Sequence, residues 1–483
     1  MPAWMENGWA VVGFVAWLFL AGLAAGHAII FKRDPRSSAI WVLLILLLPY
    51  AGPWLYWVLG INRLERKVVR ILGRRARPFD LRTCEDPSTS AEEIRRSVGH
   101  LELLRHVTDR VTPLPLLKGN RLVPLHNGEQ AYPDMLAEIR GARRSVTLIS
   151  YIFDCDDVGY EFADALAEAA DRGVHVHVLV DGIGAFGQVA RMTRRLRKTR
   201  VETVPFFPVR LPFGRLRINL RNHRKILVVD GRTAYTGGMN ISARHLVARD
   251  TPHRCEDLHF RITGPVVSEI QHTFIEDWHL ATGRMLDGQD YLPPQAPMEG
   301  AGALCRGIAS GPDEDLERIH WYLLAAFAAA RSSVDVVTPY FVPTMSLISA
   351  MVMASLRGVR VRLFLPSVVD HAFMRWAADA YLWQVLEHGV EVYRRRPPFV
   401  HTKLAVVDDL WTLLGSANLD RRSFRLNFEF NVEAYDRDLA HGLTAWLTSL
   451  IPNCTRVTLE EVDSRPIPTR LRDGLVKLFS PHL

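Results

Sequence analysis

Metal-ligand spacing is missing from this 483-residue sequence. Its cysteines, Cys84, Cys155, Cys255, Cys305 and Cys454, are scattered and odd in number, and no Cys-x-x-Cys pair occurs. That pattern argues against a zinc site or a disulfide framework and for free thiols in a reducing compartment. No Lys or Arg precedes the first apolar stretch, and Glu6 sits there instead, which disfavours a cleaved signal peptide with a basic start. Charge is absent from two runs, Gly8 to Phe31, with one histidine at His27, and Ala39 to Ile61. As a helix the second would extend roughly 35 Å at about 1.5 Å per residue, enough for a bilayer core of about 30 Å. The expectation is a transmembrane helical hairpin within residues 1–62, with spans about 8–31 and 39–61. Pro49 and Pro53 leave a kinked or re-entrant second stretch open.

What is present agrees with a membrane setting. Trp41, Tyr50, Trp54, Tyr56 and Trp57 are of the kind favoured at membrane interfaces. After the second run come Arg63, Arg66, Lys67, Arg70, Arg74, Arg75 and Arg77; the loop KRDPRSS between the runs holds three basic residues. By the positive-inside rule both ends of the hairpin fall in the cytoplasm, with the loop charges opposing. The basic run is either a solvated face or a hold on anionic headgroups. With 59 Lys+Arg against 52 Asp+Glu, the whole chain suits an anionic partner, phospholipid or nucleic acid.

Residues 63–118 read as the basic juxtamembrane segment and a connector, with a helical stretch near 90–107. Strands and helices then alternate: VTLISYIF (146–153), GYEFADALAEAADRG (159–173), VHVHVLVD (174–181). RSSVDVVTPYF (331–341) and SLISAMVMASLRGVRVRLFLP (346–366) repeat that succession. A Pro-, Gly- and Gln-rich stretch lies between. The expected α/β domains are 119–290 and 307–483, joined by a linker at 291–306. His175 and His177 share a strand face, but Arg360 and Arg362 occupy the matching places, so a polar face is preferred to a metal pair.

HRKILVVD (223–230) and HTKLAVVD (401–408) are the same pattern, His-x-Lys-x-x-x-x-Asp, 178 positions apart. Gly237-Gly238-Met239-Asn240 follows the first and Gly415-Ser416-Ala417-Asn418 the second, at equal offsets. Strand parity puts His223 with Lys225, and His401 with Lys403, on one face. Asp230 and Asp408 have the opposite parity; Asp230 lies in Asp-Gly-Arg, a hairpin-turn sequence, so a supporting role competes with a catalytic one. A phosphodiester needs a nucleophile, a proton donor for the leaving oxygen and positive charge around the phosphoryl group. Two histidines and two lysines supply these without a metal or cofactor.

Residues 223–240 and 401–418 match the HKD signature H-x-K-x(4)-D-x(6)-G-[SG]-x-N. The chain resembles the phospholipase D superfamily and, within it, bacterial cardiolipin synthases; YIFDCDDVG, TPYFVP, GSANLDRRSFRLNFEFN and the ending LFSPHL carry the narrower likeness. The resemblance implies two α/β/α sandwich domains related by a pseudo-twofold axis, with one phosphate pocket at their seam. It implies transfer of a phosphatidyl group between two phosphatidylglycerol molecules through a phosphohistidine. The alternative is a hydrolase, or a transferase using another alcohol acceptor. Family practice makes His223, Lys225, Asp230, His401, Lys403 and Asp408 the active-site set, with His223 as nucleophile and His401 as general acid and base; the swap stays open. Asn240, Asn418 and Ser416 offer phosphate-binding or orienting contacts. Asp257 in RCEDLHF and Glu429 in LNFEFN are the implied orienting carboxylates, with Glu256 as an alternative to Asp257. Two membrane spans argue against nucleic acid as partner. The implied location is the bacterial cytoplasmic membrane, multi-pass, with the catalytic domains inside. VPFFPVRLPF (204–213) is a lipid entrance or buried loop packing.

Overall fold

The computed structural model describes residues 3–32, 35–60, 91–182, 188–207, 221–251, 253–295, 302–312 and 317–478. The chain divides into two compact units, Met1–Arg74 and Arg75–Leu483. The basic run 63–77, residues 208–213 of the proposed lipid entrance and the LFSPHL terminus beyond Leu478 lie outside the described residues.

In the first unit, helix Ala3–Phe31 contains the one stretch, Val11–Phe31, that is long and apolar enough among the described residues to cross a membrane. Its large apolar side chains, such as Phe19 and Ile30, are exposed, as hydrocarbon-facing residues are. The second run is not the continuous 39–61 helix the sequence suggested. Helix Pro35–Leu47 stops after 13 residues, the chain turns at Leu48–Tyr50, and a short helix Ala51–Leu55 continues into a π-turn at Tyr56–Gly60. Pro49 explains the stop: it has no N–H to donate, its ring opposes the carbonyl four residues back, and it pushes Leu48 out of the helical region. Tyr50 turns the chain with φ 59°. A 13-residue helix is roughly 20 Å long, short of a bilayer core.

In the second unit one sheet runs through both sequence repeats. From one edge its strands are Glu202–Phe206, His175–Asp181, Ser145–Ser150, Ile226–Val229, Thr233–Gly237, Leu258–Thr263 and Leu117–His126. Across the seam they continue as Ala303–Ser310, Asn427–Tyr435, Trp411–Gly415, Leu404–Val407, Ser333–Val337, Arg360–Pro366, Glu391–Arg395 and Cys454–Val457. Apart from the last strand, the second half repeats the first in mirror order. The two seam strands are antiparallel, with Leu117 opposite Cys305 and Asn120 opposite Ala303. The second repeat thus starts its sheet at Ala303, inside the segment read as linker.

Helices cover both faces, so the strands in the middle are apolar throughout. Ile226–Val229 and Leu404–Val407 are buried at every position. Helix Val266–Thr282 brings Phe274 and Trp278 into a core shared with Phe430, Val432 and Leu443 of the other repeat. Helices Asn127–Gly141 and Asp157–Asp171 close the opposite face of the first repeat. Part of the segment read as a connector belongs to the second repeat. Val98, Leu101 and Leu104, from helices Ala91–Val98 and Glu102–Val111 and the turn between, join the core of Ile319, Trp411 and Tyr435. His177 is buried against Tyr291, its Nε2 2.8 Å from the hydroxyl. Its counterpart Arg362 forms a buried fork with Asp335 at 2.5 and 2.7 Å.

Candidate active site

Each HKD histidine stands just before its strand, on a short extended segment that crosses to the other repeat. Arg221–Asn222 pairs with Asn427–Phe428, and His223 N–H donates to Phe428 O at 2.9 Å. In mirror image, Phe399–Val400 pairs with Cys255–Glu256, and His401 N–H donates to Glu256 O at 2.8 Å. These crossings bring the two imidazoles together with ring centres 6.5 Å apart, inclined at 75°.

The crossings also decide the carboxylates. His223 Nδ1 lies 2.9 Å from Glu429 Oε2, and His401 Nδ1 lies 2.8 Å from Asp257 Oδ2. Each histidine is therefore oriented by the other repeat's acid. A carboxylate accepts, so Nδ1 carries the proton and Nε2 presents its lone pair to the pocket. Glu429 also accepts from Ser416 Oγ at 2.6 Å and Asn427 Nδ2 at 3.0 Å. Asp257 accepts instead from the Leu258 N–H at 2.8 Å. Glu256 is engaged elsewhere, by Arg395 at 2.5 Å.

The lysines are buried beside the rings. Lys225 Nζ donates to His223 O at 2.7 Å, and Lys403 Nζ to His401 O. Burial drags the Lys225 ammonium down to about 7, against the pull of Glu429, and Lys403 down to about 8 in the same way. Burial, helped by Lys225, lowers His223; burial and Lys403 hold His401 at about 4. Burial alone would raise both carboxylates, but their histidine and lysine partners hold them below the usual carboxylate range. The pocket thus favours neutral imidazoles and ionised acids, and burial disfavours the charged form of both lysines. An anion placed beside these groups would favour the charged lysines and a protonated imidazole.

Asp230 and Asp408 do not join the cluster. Both sit at the far end of their strands, in turns with positive φ: 51° at Asp230 and 61° at Gly231, 55° at Asp408 and 49° at Asp409. Positive φ at two successive residues forms the tight turn of each three-residue loop, closed by Arg232 N–H on Val229 O at 3.0 Å and Leu410 N–H on Val407 O at 3.1 Å. Asp230 accepts from the N–H groups of Arg143, Arg144 and Ser145, and Asp408 from those of Arg331, Ser332 and Ser333. Each Asp clamps the entry to the neighbouring strand. The two asparagines brace the loops behind the pocket: Asn240 Oδ1 accepts from Ile152 N–H at 3.2 Å, and Asn418 N–H donates to Ser423 Oγ at 3.2 Å.

Sequence reasoning missed the aromatic walls. Tyr151 sets its ring 5.1 Å from His223 and 5.2 Å from Lys225 Nζ, and Phe399 lies 5.8 Å from His401. Tyr151 lies in the quoted YIFDCDD, but only the fold places that strand end over the histidine. The part of VPFFPVRLPF that is described packs Phe206 and Phe207 on Phe428, at 5.1 and 6.1 Å.

A family model for the cardiolipin synthase PLD-like domain matches residues 135–278 and 323–451, which together contain the paired histidines, lysines and acids. The chain belongs to the cardiolipin synthase family. A second model, of the phospholipase D-nuclease N-terminal segment, matches residues 23–60. Cardiolipin synthase of Geobacillus kaustophilus is 33 % identical over 456 residues, 94 % of this chain and 90 % of that protein. Cardiolipin synthase A of Pseudomonas aeruginosa is 33 % identical over 479 residues, 98 % and 94 % of the two chains. The crystal structure of phosphatidylserine synthase from Haemophilus influenzae superposes with a TM-score of 0.61 at 15 % identity, over 79 % of this chain and all of that one, a likeness of fold. As a family member the chain is a membrane-associated phosphatidyltransferase of the phospholipase D superfamily, built from two repeats, with one apolar helix near its N-terminus.

Proposed function

We propose that this enzyme makes cardiolipin from two phosphatidylglycerol molecules. The carrying observation is the pair of histidines, each held at Nδ1 by the opposite repeat's carboxylate, with a lysine beside each. The phosphodiester of the first lipid sits between the rings, its oxygens facing Lys225 and Lys403. Nε2 of His223 attacks phosphorus while His401 gives a proton to the departing glycerol oxygen. The P–O bond breaks as the P–N bond forms, leaving phosphatidyl-histidine and free glycerol. His401, now neutral, takes the proton of the terminal hydroxyl of a second phosphatidylglycerol. That oxygen attacks phosphorus, the P–N bond breaks, and cardiolipin forms. Asp257 and Glu429 keep each imidazole in the right tautomer and stabilise its cationic form. The lysines balance the added charge of the five-coordinate transition state. No metal or cofactor enters these steps.

The membrane supports synthesis over hydrolysis, since anchoring confines the enzyme where acceptor lipid is concentrated. Its place is the cytoplasmic membrane of a bacterium, with the catalytic unit inside, as the basic residues after the apolar segment favour. Purified enzyme given phosphatidylglycerol should yield cardiolipin and glycerol in equal amounts by mass spectrometry; phosphatidic acid alone would make it a hydrolase. His223→Ala should form no phosphohistidine. His401→Ala should still form it from a substrate whose phenolate leaving group needs no proton, and then stall; the reverse pattern would exchange the two roles.

A further inference from the structure

The apolar N-terminal unit holds contacts that two antiparallel spans cannot make. Ser38 Oγ donates to Ala28 O at 3.1 Å, which sets the register of the second helix against the first. In that register a straight second span would bring residue 56 near residue 10. Instead Tyr56 OH lies 2.8 Å from His27 Nδ1, and the Trp57 ring is 5.4 Å from the same imidazole. Tyr56 also meets Trp41 of the second helix, at 5.4 Å between rings. The deepest point is the turn: Tyr50 OH donates to Gly13 O. The chain therefore descends beside the first helix from Ser38 to Leu48, about 15 Å at about 1.5 Å per residue, with the Tyr50 hydroxyl reaching on to Gly13; the returning limb then climbs about 9 Å to Tyr56, whose hydroxyl reaches His27.

The turn is suited to that depth, where irregular backbone must satisfy its own polar groups. Pro49 and Pro53 have no N–H to satisfy. The N–H groups of Leu48, Gly52 and Trp54 donate to Leu44, Leu48 and Tyr50 carbonyls at 3.1, 2.8 and 3.1 Å. Gly52 lets the returning limb touch the descending one, since a Cβ there would lie 2.4 Å from Leu44 O. Ala21, Ala24 and Ala28 of the crossing helix are fully covered, with Ile45 and Tyr56 in the same cluster.

We propose that the N-terminal unit is a single crossing helix with a re-entrant hairpin packed on it, so that the chain leaves the membrane on the side of the 32–36 loop. The arrangement removes the charge conflict of the two-span reading. Lys32 and Arg36 flank the loop at the hairpin's open end, where Gly60 leads, by sequence alone, toward the basic run 63–77, while no Lys or Arg lies between Met1 and the crossing helix. The positive-inside rule puts that side in the cytoplasm and the N-terminus outside. The lipid partner of this unit is thus asymmetric: hydrocarbon along the crossing helix, and the anionic inner leaflet at the hairpin's open end.

Two measurements on the full-length protein in its native membrane test this. His27→Cys/Tyr56→Cys should cross-link on mild oxidation, and Gly13→Cys/Tyr56→Cys should not; a straight span gives the opposite result. In intact spheroplasts a membrane-impermeant maleimide should label Met5→Cys and should label neither Arg36→Cys nor Asn62→Cys, both of which react after lysis. External labelling of Arg36→Cys with Asn62→Cys protected would overturn the re-entrant hairpin. Protection of all three would overturn the single crossing. Cardiolipin synthesis by each variant separates a misplaced anchor from an unfolded one.

Discussion

At the scale of single residues, the two halves of the pocket differ where their carboxylates differ in length. Asp257 reaches its histidine from close to the backbone, and Gly238 faces it; a Cβ at that position would lie 2.3 Å from Asp257 Oδ1. Glu429 is one methylene longer and accepts from Ser416 Oγ. The glycine goes with the short acid and the serine with the long one. Gly238→Ser should therefore displace Asp257 and cut kcat by roughly 100-fold or more, the scale of losing a catalytic orienting group, whereas Ser416→Gly should cost less. Steady-state kinetics on the two variants compares them.

Lys225 poses a different residue-scale question, because the pocket buries its ammonium before any anion arrives. Its pKa in the fold is about 7, against 10.5 in the unfolded chain. Between those values the unfolded chain binds more protons, so stability rises with pH across that window, and the full penalty is felt below about 7. Lys225→Met should then raise the melting temperature of the empty enzyme at pH 7, by ~2 °C or more, and flatten its rise between pH 7 and 10. The same variant should lose synthesis. A lower melting temperature at pH 7 would mean that Glu429 and the neighbouring acids compensate the buried ammonium, so that folding does not lower its pKa.

At the scale of elements, the HKD hairpins explain why Asp closes each octet. Asp408 accepts three backbone N–H groups, the Ser332 hydroxyl at 2.8 Å and His100 Nε2 at 2.5 Å. Burial would raise this carboxyl, but the backbone donors of Ser333, Arg331 and Ser332 hold it below its ordinary value. Its stabilisation is present above the unfolded Asp pKa and fades as pH falls through the folded one. Asp408→Ala strands three N–H groups and should cost on the order of 3 kcal/mol or more of stability. Phosphohistidine formation per folded molecule should stay within about threefold of wild type, since nothing that touches phosphate is removed. A much larger loss with unchanged melting would return Asp408 to the chemistry. The turn was legible because period-two alternation separates His and Lys from Asp, and Asp-Gly marks the hairpin. The break in the second apolar run was half legible: Pro49 forbade a smooth helix, but the return to His27 depends on packing between segments 29 residues apart. The place of helices 91–111 in the second repeat was hidden for the same reason, since local polarity gives no hint of a core more than 200 residues away.

At the scale of the whole molecule, the sequence named Asp257 and Glu429 as orienting carboxylates without assigning either to a histidine, and the fold pairs each with the histidine of the other repeat. Asn427–Phe428 lies on Arg221–Asn222 and Cys255–Glu256 on Phe399–Val400, so the next residue in each acid-bearing strand meets the other repeat's histidine. A single repeat therefore cannot orient its own histidine, which gives a physical reason for the two repeats to share one sheet. The crossing predicts which chemical step each acid controls. Under the proposed assignment, with a phenolate leaving group, phosphohistidine formation depends on His223 and hence on Glu429, while its consumption by the acceptor hydroxyl depends on His401 and hence on Asp257. Rapid-quench kinetics should show Glu429→Gln slow in forming the intermediate, and Asp257→Asn forming it at a near wild-type rate but accumulating it. Pairing within repeats predicts the opposite pattern, with Asp257→Asn slow to form the intermediate and Glu429→Gln slow to consume it.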